Sequence, residues 1–100
     1  MQKLFLSILL SHCLLCLYAQ QTVYVSTQGS DLQPGTMAKP LKTLQAAADK
    51  AKRMKGPVII SLRGGVYEFS RTVTINASDN HFDSLLIQPH ASETVVFTGA

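Results

Sequence analysis

The chain has 100 residues, of which 46% are hydrophobic, and carries nine Lys and Arg against six Asp and Glu, giving a formal net charge of +3. This modest charge gives little support for a nucleic-acid partner bound through the overall charge of the protein. The apolar residues are unevenly distributed, because residues 1–17 are nearly all apolar and contain a single charge, Lys3.

Residues 1–19 have the three parts of a cleavable secretory signal. Lys3 supplies a positive start, residues 4–17 form the apolar core, and Ala19 offers a small residue for cleavage before Gln20. We therefore expect a signal peptide over 1–19 and a protein that is secreted or periplasmic.

Two membrane anchors are the alternatives to a cleaved signal. A transmembrane helix needs roughly 20 apolar residues, and this run is shorter. A lipoprotein anchor needs a small residue before its cysteine, whereas His12 and Leu15 precede Cys13 and Cys16. We expect no membrane association after cleavage, which also removes both cysteines and with them any disulfide or cysteine metal site.

A strand and a long loop open the remainder. Residues 21–26 carry β-branched and aromatic side chains in alternation, which predicts a strand. Residues 27–40 are rich in Gly, Pro, Ser and Asp, and turn signals occur at 29–31 and 34–35.

A helix is predicted next, with Thr43 as its N-cap. Apolar side chains follow at helical spacing, at Leu44, Ala47, Ala48, Ala51 and Met54. Four basic residues are predicted to fill its last turn and balance the negative end of the helix dipole: Lys50, Lys52, Arg53 and Lys55. Gly56 and Pro57 are expected to end the helix.

The rest of the chain has a β pattern throughout. Five short strands are predicted, at 58–62, 66–69, 72–75, 84–88 and 94–98. The first is a nearly continuous apolar run, which predicts a strand covered on both faces. The absence of helical patterns between these strands excludes a doubly wound α/β sheet and leaves a sandwich, a barrel or a β-solenoid. The last strand lies directly before residue 100, so we expect the chain to be the start of a longer protein.

Five short motifs in this order resemble the N-terminal region of secreted right-handed parallel β-helix proteins, the pectate-lyase-like superfamily of polysaccharide lyases and glycoside hydrolases. They are Tyr-Val-Ser-x-x-Gly-Ser-Asp, Pro-Gly-Thr, Pro-Leu-Lys-Thr-Leu, Leu-Arg-Gly-Gly-x-Tyr and Val-x-Phe-x-Gly, spread over nearly all of residues 22–99. One departure is Val66, where the family commonly has Thr.

The resemblance implies a mainly β fold: an N-terminal capping helix and the first coils of a right-handed parallel β-helix, or solenoid. The cap loop and helix would occupy 27–56, the first coils 57–100, and the whole of 20–100 would be the N-terminal part of the β-helix domain. Gly64 and Gly65 would let the backbone turn between the sheets of one coil.

The resemblance also implies a polysaccharide partner and no nucleic acid. The family's catalytic residues lie on middle coils, beyond residue 100, so no catalytic, cofactor-binding or metal-binding residue is assigned to this chain. No cofactor is expected in this segment, although a lyase would use Ca²⁺ in the full-length protein. The oligomeric state is not indicated.

Several residues could carry chemistry, and each also has a structural explanation. Asp31 is a single carboxylate where Ca²⁺ needs six to eight oxygens, which favours a turn-stabilising role. His81 and His90 are isolated in polar breaks, which favours solvated loop histidines over a base or metal ligands.

A second group of candidates lies between residues 63 and 93. Asp79, Asp83 and Glu93 could form a paired-carboxylate site, but turn solvation is the favoured reading. Arg63 could neutralise an acidic sugar, and a structural salt bridge or carbonyl contact is favoured. Residues 76–78 form an N-glycosylation sequon, Asn-Ala-Ser, which matters in a eukaryotic source.

Three functions remain open at this point. The first is an exported enzyme that cleaves a polysaccharide by paired carboxylates or by β-elimination. The second is a non-catalytic carbohydrate-binding or adhesin-like β-helix on the same scaffold. The third is a truncated product without activity of its own.

Overall fold

A computed structural model describes residues 19–75 and 80–99. It contains five strands and one short helix, in the order β1 (Gln21–Val25), α1 (Leu44–Ala51), β2 (Gly56–Leu62), β3 (Gly65–Phe69), β4 (Phe82–Pro89) and β5 (Val95–Gly99). The predicted signal peptide, apart from Ala19, the sequon at 76–78 and Asp79 lie outside the described residues.

All strand pairs are parallel and form two sheets. One sheet has the order β1-β2-β4, and the other pairs β3 with β5. The unit β2–turn–β3 is thus followed by the unit β4–turn–β5, and each strand lies beside its counterpart, with Ile60 opposite Ile87 and Tyr67 opposite Phe97. The chain is mainly β with stacked parallel strands, as in a β-helix-like fold.

The core lies between the strands and α1. Along each strand, alternate side chains point inward. Because neighbouring strands are parallel and in register, equivalent inward positions lie side by side, and Val23, Ile60 and Ile87 form one such row. The helix buries a face made mostly of alanine against β1 and β2, with buried residues Leu44, Ala47, Ala48 and Ala51. Small side chains allow this close approach of helix and sheet.

The structure confirms the predicted start of the helix and contradicts its predicted end. The N-cap is confirmed, because the Thr43 hydroxyl accepts a 3.2 Å hydrogen bond from the Ala46 amide. The predicted C-terminus is wrong, because α1 ends at Ala51 and the chain tightens through three-residue bonds such as Met54 N–H to Ala51 O. Gly56, with φ of 82°, begins β2 instead of ending the helix.

The predicted strand at 72–75 is also wrong. Within residues 19–75 and 80–99 this segment pairs with no strand, and its backbone at Thr74 is hydrogen-bonded to the side chain of Gln45 on α1. Residues 72–75 are all β-branched, but a strand also needs a neighbouring strand whose backbone it can pair with. The other predicted strands are confirmed within two residues at each end.

Glycines allow two close approaches of the backbone. A Cβ on Gly29 would lie 2.6 Å from the Pro40 carbonyl oxygen, so no side chain fits where the long loop folds back. Gly65 has φ of 147° at the turn between β2 and β3, as the turn prediction requires.

Candidate functional site

The turns that follow β2 and β4 are joined by a charged pair. Arg63 Nε and Nη2 donate to the two carboxylate oxygens of Glu93 at 3.0 and 3.2 Å, and the Gly64 amide donates to Glu93 Oε1 at 2.8 Å. The bonds from Arg63, followed by the bond from the Gly64 amide, lower the pKa of Glu93 from 4.5 to about 2. The bond to Glu93 raises the pKa of Arg63. The pair connects one strand–turn–strand unit to the next, in agreement with the structural role expected for Arg63.

The Tyr67 hydroxyl lies within hydrogen-bonding distance of both the same turn and β1. Its buried hydroxyl lies 2.6 Å from the Arg63 carbonyl oxygen and 3.2 Å from that of Val25. Burial raises the pKa of Tyr67, so the phenol stays protonated and donates this bond.

His90 is not the solvated loop histidine that the sequence suggested. It is half-buried at the end of β4, with Nδ1 3.3 Å from Ser61 Oγ and its ring edge-on to Tyr24 at 5.8 Å. His81 does lie exposed, and its amide donates to the Lys52 carbonyl oxygen. The two histidines therefore do not meet.

Asp31 organises the start of the helix. Its Oδ1 accepts from the amides of Lys42 and Thr43, each at 2.9 Å, and its Oδ2 accepts from the Thr43 hydroxyl at 2.8 Å. Burial by itself raises the pKa of this carboxyl, but the bonds from Thr43 and Lys42 outweigh it and the pKa is lowered. These bonds tie the long loop to the start of α1, as the turn-stabilising interpretation expects.

Asp83 and Glu93, two of the predicted candidates, lie too far apart to form a catalytic pair. Asp83 lies exposed at the start of β4 and Glu93 follows the end of that strand, whose eight residues span roughly 25 Å. Glycoside hydrolysis needs two carboxyl groups within about 10 Å. Across 19–75 and 80–99, no three His, Cys, Asp or Glu side chains are grouped closely enough to hold a metal ion.

A groove of about 630 Å³ borders β3 and was not foreseen from the sequence. Its walls come from the start of α1 and from residues 70–73, and its polar lining includes Thr27, Lys42, Gln45, Glu68 and Arg71. Such groups can hydrogen-bond a sugar or hold a carboxylate. Sequence reasoning missed the groove because its walls come from segments that are far apart in the chain.

Comparisons with known proteins point to polysaccharide-active enzymes. The chain is 32% identical over 77 residues to pectate lyase PEL9 of Emericella nidulans, a match that covers 77% of the chain and 18% of that protein. It is also similar to a solved glycoside hydrolase, with a TM-score of 0.65 and 28% identity over 78% of the chain and 15% of the other. No protein-family model matches the chain.

A second solved structure supports the fold alone. The complex of XylC with xylose has a TM-score of 0.57 and 22% identity, and the match covers 74% of the chain and 11% of XylC. The chain therefore spans less than a fifth of the length of each of these relatives. In the described part of the chain, no helix has the length and apolar character needed to cross a membrane.

Proposed function

We propose that this chain is the N-terminal part of an exported β-helix enzyme that cleaves a polysaccharide. The observation that carries the proposal is the in-register stacking of β2–turn–β3 on β4–turn–β5. The similarity to a pectate lyase and to a glycoside hydrolase supports the substrate class. Residues 1–19 would be the cleaved signal, and α1 would cap the first coil.

The exposed apolar residues of the last two strands favour a continuing solenoid. Ile87 on β4 and Phe97 on β5 are 37% and 50% exposed, although their partners Ile60 and Tyr67 in the preceding unit are buried. A further coil would cover them in the same register. The catalytic residues would then lie on later coils, beyond residue 100.

The reaction would be either β-elimination or hydrolysis. A lyase would use Ca²⁺ to neutralise the sugar carboxylate, and this ion needs six to eight oxygens. The described residues do not group their carboxylates in that way, so any calcium ligands would come from another part of the protein.

The test is an assay of the whole protein, purified from the medium or periplasm, on polygalacturonate and on xylan. We expect its first residue to be Gln20 or a near neighbour, and we expect chain cleavage. Product with the ultraviolet absorbance of an unsaturated uronate would identify a lyase, and reducing ends without that absorbance a hydrolase. Binding to these polymers without cleavage would favour the adhesin-like alternative and overturn the enzyme, and neither binding nor cleavage would overturn the polysaccharide assignment.

A further inference from the structure

Two glutamines stand where the expected signal peptide ends, in the sequence Ala19-Gln20-Gln21. Signal cleavage follows a small residue, and Ala19 is the small residue that closes this signal. A cut after Ala19 makes Gln20 the first residue of the exported chain, and a cut one residue later makes Gln21 the first. Either cut therefore leaves a glutamine with a free α-amine at the new N-terminus.

The structure distinguishes these two glutamines. β1 begins at Gln21, which is half-buried and lies opposite Val58 in the parallel register with β2. Gln20 precedes this first pair and is exposed, as is Ala19. After a cut at Ala19, the α-amine and the side chain of Gln20 are consequently free of the sheet and can turn back on each other.

An N-terminal glutamine can react with its own side chain. The lone pair of the α-amine attacks Cδ of the side-chain amide, so a bond from the α-nitrogen to Cδ forms and the bond from Cδ to Nε2 breaks. A proton passes from the amine to Nε2, which leaves as ammonia, and the step needs no oxidant, reductant or second substrate. The product is a five-membered lactam, pyroglutamate, and its formation has the high effective concentration of an intramolecular reaction.

We propose that Gln20 of the exported protein is converted to pyroglutamate. This inference rests on the export and signal cleavage that form part of the proposed function, and it adds a modification site outside the catalytic coils. The lactam nitrogen is not basic, so the modified terminus loses the positive charge of an α-amine, whose ordinary pKa is about 8.

The lactam would also protect the first strand. Aminopeptidases require a free α-amine, and trimming past Gln21 would reach Val23 and Val25, which are 1% and 0% exposed. Val23 lies opposite Ile60 and Val25 opposite Leu62, so their loss would uncover the central strand β2. Pyroglutamate at the exposed position before β1 blocks this trimming where it would begin.

The experiment identifies the N-terminus of the whole protein purified from the medium or periplasm. Free amines are labelled on the intact protein before digestion, so that cyclisation during digestion is not counted, and the N-terminal peptide is read by mass spectrometry. We expect the wild-type peptide to begin at Gln20, to lack the mass of one ammonia and to carry no label on its α-nitrogen. The wild-type protein should also resist an aminopeptidase.

Two matched variants test the chemistry. An N-terminal glutamate loses water far more slowly than glutamine loses ammonia, so Gln20→Glu should keep a labelled α-amine and be trimmed by the aminopeptidase. The control is Gln28→Glu, which makes the same change at an exposed glutamine of the long loop and should keep the blocked terminus of wild type.

The outcomes separate this inference from the proposed function. A peptide that begins at Gln20 with a labelled α-amine would overturn the modification and leave the cleaved signal intact. A terminus at any other residue, Gln21 included, would overturn Gln20 as the modified residue, and retention of residues 1–19 would overturn the expected signal cleavage as well. A terminus of Gln20→Glu as fully blocked as that of wild type would indicate a different modification and overturn the lactam. Pyroglutamate on a protein that cleaves neither polygalacturonate nor xylan would support this inference and overturn the enzyme.

Discussion

Glu93 receives three hydrogen bonds from the preceding turn, two from Arg63 and one from the Gly64 amide. Because the side chains of Arg63 and Glu93 are 37% and 35% exposed, solvent screens the pair and its contribution to stability is modest. Its value is geometric, since it fixes how the second strand–turn–strand unit sits on the first.

The low pKa of Glu93 predicts a specific dependence of stability on pH. A depressed folded-state pKa adds stability that is fully present above the ordinary value of 4.5 and is lost as pH falls toward about 2. We expect the urea midpoint of wild type to fall over this window and that of Glu93→Gln to fall less. Glu68→Gln, at an exposed carboxylate of β3, is the control and should follow wild type. Parallel curves for wild type and Glu93→Gln would contradict the role of this pair.

Asp31 and Thr43 show how one carboxylate can define where a helix begins. Asp31 fixes the Thr43 amide and hydroxyl, and that hydroxyl oxygen in turn accepts from the Ala46 amide. Local sequence predicts the N-cap, but the partner of that N-cap is 12 residues away in the loop and is found only in the folded chain.

At the scale of elements, α1 holds the segment that does not form a strand. Gln45 accepts from the Thr74 amide at 3.0 Å and donates to the Thr74 carbonyl at 3.4 Å, so the side-chain amide replaces a neighbouring strand. The segment leads away from β3 beside the groove, whose wall it forms at residues 70–73.

We expect Gln45→Ala to release this segment while leaving the sheets intact. Loss of the hydrogen bond costs about 1 kcal/mol, so the Thr74 amide should exchange with solvent about fivefold faster. Amide hydrogen exchange followed by NMR measures this directly. The control is Gln88→Ala on β4, where an exposed glutamine should leave Thr74 exchange unchanged. Equal protection of Thr74 in wild type and Gln45→Ala would show that other contacts hold the segment.

At the scale of the whole molecule, stability depends on rows of apolar side chains that cross from strand to strand. Ile60 is fully buried between Val23 and Ile87 in the parallel register, whereas Leu86 points to the opposite face and is 52% exposed.

These two positions give a matched test of the packing. Ile60→Ala should lower the free energy of unfolding by about 2–5 kcal/mol, because it leaves a cavity in the central strand. Leu86→Ala removes a side chain of the same size and should cost less than about 1 kcal/mol. Urea denaturation of both variants compares them, and similar losses at the two positions would mean that the faces of the sheet are assigned wrongly.

The sequence by itself determined the positions of the helix N-cap and of four of the five strands that it predicted after the helix. Val58 to Leu62 and the pattern from Thr43 to Ala51 carry strong local signals, since alternation and helical spacing depend on neighbours within a few residues. The motifs also predicted the parallel β-helix type of fold, which the stacked parallel pairs support.

Only the tertiary structure decided what depends on contacts between distant segments. The strand predicted at 72–75 failed because Gln45 occupies its backbone, and His90 is half-buried because Ser61 and Tyr24 lie beside it. Local patterns specify which conformations a segment favours, but the partner of each polar group is set by the three-dimensional arrangement of the whole chain.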